Sequence, residues 1–156
     1  MVTLPVVSAD KLTTLLRQER GISDLSDDQA TWDFNIGLDG SRLPGPGKTY
    51  EVILWKPEAP VSHEVIRAYF QKRGATGHVG AFLQWLRQTP RPTSEEIHYT
   101  TIPEDNACWR NPFNDLLVPC SISLASAEIL NQKRVNQIWD IGWTIVGFKE
   151  ITSVRH

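Results

Sequence analysis

Apolar residues recur along this chain with two different periods. Over 8–20 the spacing is helical: Ser8 is placed to cap, Leu12, Leu15 and Leu16 fall at i, i+3 and i+4, and Gly21 follows the last basic residue as a C-cap. From Thr31 to Leu38 the period becomes two. Trp32, Phe34, Ile36 and Leu38 alternate with Asp33, Asn35 and Gly37, which predicts a strand with one buried face. Asp39-Gly40 signals a turn, a loop punctuated by Pro44 and Pro46 follows, and Tyr50 to Trp55 reads as the next strand.

Two helices come next. Ser62 caps the first, over 63–73, whose stripe is Val65, Ile66, Tyr69 and Phe70 and which Gly74 closes. Thr76 is placed to cap the second, through Gln88, with Val79, Phe82, Leu83 and Leu86 on one face. Residues 96–102 alternate again as a strand, and 103–114 form an irregular loop. A strand over 116–124 is expected at a sheet edge, because Pro119 lacks a ladder donor. Ser126 could cap a helix to about Asp140, with Leu130, Val135, Ile138 and Ile141 on one arc and Ile129 outside it. A last strand, 143–151, is apolar on both sides and therefore central. The order implies an α+β fold: one two-layer domain spanning 1–156, with a mostly antiparallel sheet of four to five strands and the helices packed on one face.

Composition narrows the class. The 156 residues carry 16 Lys and Arg against 18 Asp and Glu, a net charge of -2, so the chain as a whole is not built to seek polyanions. No apolar run approaches the ~20 residues of a membrane span, and the first residues lack a charged and then apolar leader. A cytoplasmic protein without a membrane partner is therefore expected. The two cysteines, Cys108 and Cys120, make no metal or disulfide pattern and read as reduced thiols. Most of the six tryptophans are expected to build the core.

Motifs with cofactor chemistry fail on inspection. Gly45-Pro46-Gly47-Lys48-Thr49 ends like a phosphate-binding loop, but Arg42 stands where its first glycine belongs, and a strand follows instead of a helix. Counting a calcium loop from Asp24 puts Gln29 and Asn35 where glycine and glutamate are required. His63, His78, His98, Cys108 and Cys120 lie too far apart in sequence for a metal signature. No metal and no cofactor are expected. One catalytic arrangement is conceivable: Cys108 beside Arg110 as nucleophile, His98 as its base, and Glu104 or Asp105 orienting the imidazole.

Charge is segregated along the chain. Residues 61–92 carry Arg67, Lys72, Arg73, Arg87 and Arg91 against Glu64 alone, a basic island in an acidic protein. It does not fit a helix-turn-helix, since Phe70 occupies the small-residue position before Gly74. A face contacting phosphates non-specifically remains open. The stretch with Asp24, Asp27, Asp28 and Trp32 could meet a basic partner, although the alternation turns Trp32 toward the core. The reading that follows is a non-catalytic binding or regulatory module acting through protein contacts, with another protein or its own copy. Nucleic-acid binding through 61–92 and a small Cys/His enzyme are the alternatives.

Overall fold

The computed structural model describes residues 1–3, 18–19, 24–25, 47–89, 96–110, 113, 115–123 and 128–151, and the elements that follow are those of the described residues. In chain order the strands are β1 (Val2–Thr3), β2 (Asp24–Leu25), β3 (Thr49–Trp55), β4 (Val61–Ser62), β5 (Ile97–Thr100), β6 (Trp109–Arg110), β7 (Leu116–Ser123), β8 (Glu128–Arg134), β9 (Ile138–Trp139) and β10 (Trp143–Glu150). The helices are α1 (His63–Gln71) and α2 (Val79–Gln88), and Asp105–Ala107 forms a 3-10 turn. The main sheet runs β1-β3-β10-β5-β7-β8-β2, with β6 also against β7, and β4 and β9 make a separate ribbon.

The fold is α+β, and its sheet is larger and more mixed than the alternation implied. β10 lies centrally, as its two apolar faces require, antiparallel to β3 and parallel to β5. β2 adds a second parallel pair, against β8. The expected helix over 126–140 is instead β8 and β9. Seven residues of β8 pair with β7, from Ser123↔Glu128 to Leu117↔Arg134, and this ladder overrides a helical arc that Ile129 already broke. β7 is therefore interior, not an edge. Pro119 is tolerated because β5 stops pairing at Thr100↔Cys120, so the proline nitrogen faces a position with no ladder acceptor. Its carbonyl is still used, accepting from Thr100 Oγ1 at 3.0 Å. Of the helix expected over 8–20 only Gln18 and Glu19, both helical, are described, and the strand expected over 31–38 lies outside the described residues.

The two helices cover opposite faces of the sheet. Tyr50, Val146 and Phe148 pack with Val79, Phe82 and Leu86 of α2. Their strand neighbours Ile53, Trp55 and Ile145 join Ile66 and Phe70 of α1 in the second core. The single-face, two-layer expectation is corrected by the segment between the helices. α1 ends in a Schellman turn: Gly74 has φ +68°, its N–H reaches the Gln71 carbonyl, and the Ala75 N–H reaches that of Phe70. The chain then passes beside β10 where β5 has ended. Thr76 and Phe148 exchange two backbone hydrogen bonds, at 3.0 and 2.8 Å. The His78 N–H donates to Thr101 Oγ1, which itself donates to the Val146 carbonyl. Because 76–78 is held extended by these bonds, α2 starts only at Val79, and His78 rather than Thr76 caps it, with Nδ1 accepting from Ala81 N at 3.1 Å.

Gly77 sits at the tightest point of this crossing. A Cβ there would overlap the backbone of Ile102 and Pro103, which cannot move aside as a side chain could. At Gly147 the atoms nearest a Cβ are those of the Phe70 ring. Gly77→Ala should therefore lower unfolding free energy by about 3 kcal/mol or more, and Gly147→Ala by about 1–3 kcal/mol. Urea unfolding of both variants checks this ranking; a Gly77→Ala chain as stable as the parent would contradict the crossing.

Candidate functional site

The basic island does not form one face. α1 and α2 lie on opposite sides of the sheet, and the pairs their arginines make divide it further. Arg67 donates twice to the Pro103 carbonyl, at 3.0 and 2.7 Å, and to Asp105 at 2.8 Å, which pins the loop after β5 onto α1. Arg87 holds the Glu19 carboxylate with two bonds, at 2.9 and 2.8 Å, and this keeps that carboxyl below its usual range. Arg73 donates to the Tyr69 carbonyl and lies 3.5 Å over the Tyr69 ring, whose other side stacks on Trp55 at 3.8 Å and 5°. Lys72 is exposed at the end of α1. Arg91, Asp27, Asp28 and Trp32 lie outside the described residues, and Asp24 is described only as backbone of β2.

The candidate catalytic residues engage different partners. The Cys108 thiol is fully buried and directed at the carbonyls of Pro103 and Glu104. His98 bonds Glu96 at 2.8 Å and meets the Trp143 ring edge-on at 5.0 Å. Asp105 is held by Arg67. A thiol buried in this way is out of reach of a substrate. Cys120 is also buried, and loss of solvent pushes its thiol up from 9.0 to about 12. Four tryptophans pack into the cores: Trp85 and Trp139 are buried, Trp55 and Trp143 half-buried, while Trp109 is described only as backbone of β6. No group of three or more metal-ligating side chains comes together among the described residues. No helix among them is long and apolar enough to cross a membrane.

Exposed aliphatic side chains among the described residues occur at the end of the sheet where β3 leaves and β10 and β5 begin. The chain after β3 is stiffened by Pro57 and Pro60 and enters β4, which pairs antiparallel with β9 through Val61↔Trp139 and Ser62↔Ile138. Register fixes what each side chain does. Trp139 turns inward, fully buried, and donates its indole N–H to the Val135 carbonyl at 3.3 Å. Ile138 therefore turns outward, at 60% exposure, and Ile141 beside it is also at 60%. Val65, whose N–H caps on Ser62 Oγ, is 49% exposed, and Leu54 is 52% exposed. Gly142 has φ +105°, a turn geometry that carries the chain from Ile141 straight into β10.

Ile141 and Leu54 line connected concavities. An open groove of about 710 Å³ runs between Lys56, Pro57, Glu58, Ile141 and Gly142. A second of about 220 Å³, sharing Lys56 and Gly142, continues past Leu54, Ile97 and Thr144. The smaller cleft of about 180 Å³ at the crossing is lined by Thr76, His78, Val79, Glu104 and Asn106. Sequence periodicity missed the first two because it put Ile138 and Ile141 on the buried arc of a helix. The signal that could have exposed them is the turn dipeptide Ile141-Gly142 immediately ahead of a strand.

Burial of both cysteines predicts slow chemistry. In the native chain neither thiol should react with iodoacetamide at neutral pH, while both should react once urea unfolds it; mass spectrometry of the alkylated peptides reads the difference. The raised Cys120 value also has a pH sign. A thiol that ionises near 12 when folded and near 9.0 when unfolded leaves stability intact below pH 9.0 and erodes it as the pH climbs toward 12. The slope is at most about 1.4 kcal/mol per pH unit. Cys120→Ala should flatten the alkaline fall of the urea midpoint relative to its own value at pH 7.

Comparison with protein-family models, with curated proteins and with solved structures gave no match.

Proposed function

We propose that the protein is a non-catalytic binding module that acts through protein contacts made at the β4–β9 end. The observation that supports this reading is that two aliphatic side chains more than half exposed, Leu54 and Ile141, line two grooves joined at Lys56 and Gly142, with Ile97 half-buried in the second. Scattered exposed aliphatics are ordinary on any protein; a set joined by connected grooves beside a proline-bounded turn is what a docking surface requires. Covering the exposed half of each contributes about 1 kcal/mol, so the pair supplies roughly 2 kcal/mol before the cost of association. That magnitude suits a transient partner rather than a permanent subunit.

The two alternatives have weaker support. Nucleic-acid binding needs clustered cations, but Arg67 and Arg87 are committed to carboxylates and their helices are on opposite faces. A Cys/His enzyme needs a reachable thiol, and Cys108 is buried. The test compares the tagged parent chain with Ile138→Ser/Ile141→Ser in lysate of its own cells, with and without nuclease. Both positions are exposed, so the variant should melt within about 0.5 kcal/mol of the parent. The expected result is a stoichiometric protein partner that survives nuclease and is lost from the variant. Partners that vanish with nuclease, or that the variant keeps, would overturn the reading.

A further inference from the structure

We infer that the partner presents a basic segment carrying aliphatic side chains, and that the acidic rim of the β4–β9 end selects it; this rests on the docking surface proposed above. The groove is bordered by Glu58 on one wall and by Asp140, next to Ile141 in the chain, both exposed. Against them stands the groove's own lysine, Lys56. Glu58 and Asp140 make no ion pair or hydrogen bond among the described residues. By contrast, the more enclosed Arg67 and Arg87 are paired at 2.8 Å each. Carboxylates around an apolar centre raise the local concentration of cations and repel anions, so they favour a partner with Lys or Arg flanking its apolar anchor.

The same charges argue against a second copy as the occupant. A two-fold contact through these grooves would bring the Glu58 and Asp140 carboxylates of both copies into one interface, with only the groove's Lys56 from each copy to offset them. The groove between Lys56, Glu58 and Ile141 is open along its length and large enough, at about 710 Å³, for an aliphatic side chain and the segment that bears it. The narrower groove past Leu54 and Ile97 gives a second place for an anchor. Glu96, at the start of β5, is engaged by His98 and closes that groove with a further carboxylate.

The experiment titrates three fluorescein-labelled peptides of one length into the full chain and reads anisotropy: alternating leucine and lysine, alternating leucine and glutamate, and alternating serine and lysine. The leucine-lysine peptide should bind about tenfold more tightly than either other, since both the apolar and the charged half are needed. Glu58→Lys/Asp140→Lys should weaken it about tenfold, and the exposed Glu51→Lys, at the far end of β3, less than about twofold. Binding should also weaken as salt rises from about 0.05 M to about 0.5 M. Equal binding of the leucine-glutamate peptide that Ile138→Ser/Ile141→Ser abolishes would overturn the charge inference and leave the docking surface standing. Equal losses in Glu51→Lys and Glu58→Lys/Asp140→Lys would show general charge attraction and overturn it too. Sedimentation showing the chain paired through this patch, undisplaced by the leucine-lysine peptide, would make a second copy the occupant. No response of any peptide to any patch variant would remove the docking surface itself.

Discussion

The passage of the chain from one face of the sheet to the other, at Thr76–His78, is the constraint on which the rest of the structure depends. It uses a gap that β5 leaves beside β10, and it fills that gap with two backbone hydrogen bonds to Phe148 and a shared hydroxyl, Thr101, between His78 and Val146. Buried backbone groups must be paired, and here the pairing is completed by a crossing segment rather than by a strand. Only a residue without a Cβ fits where Gly77 meets Ile102 and Pro103. Everything downstream follows from this placement. α1 and α2 bury different faces, the loop after β5 is pulled onto α1 by Arg67, and Cys108 is sealed beneath that loop.

That arrangement decides how each chemical feature of the sequence is used. Arg67 ties the loop after β5 to α1 and Arg87 holds Glu19, so the two do not gather as free cations on a common surface. Both thiols are sealed in the core, where desolvation holds Cys120 in the neutral form. Among the described residues, the turns where β3 ends and β10 begins bring exposed apolar groups together with exposed carboxylates. A rigid patch on short turns can dock without an ordering cost, which lets a modest apolar area act as a binding surface.

The helices and the central strand were legible because their signals are local. The stripe of Val79, Phe82 and Leu86, the glycine after α1 and the doubly apolar 143–150 each depend on spacing alone. What the pattern could not carry is which face a helix covers. Amphipathicity records that Ile66 and Val79 are buried, not that they are buried on opposite sides of one sheet. The same limit turned 128–134 into a helix. Its backbone is satisfied by β7, a partner the segment's own spacing does not encode. Pro119 misled for a related reason: a missing donor marks an edge only where a neighbour would have accepted it, and β5 has already ended there. The candidate surface was the least legible part, because Ile138 and Ile141 are hydrophobic residues that face solvent and periodicity counts every such residue as core.

The central claim, that the β4–β9 end receives a basic, apolar protein segment, is tested most directly by photo-cross-linking in place. Benzoylphenylalanine substituted at Ile141 is irradiated in cell extract, and the cross-linked peptide is sequenced, with the same substitution at Lys72 as a distant reference. The account predicts one dominant adduct at position 141, absent at 72, whose peptide is rich in Lys and Arg around aliphatic residues. An acidic peptide, a peptide of this same chain, or identical adducts at both positions would contradict it.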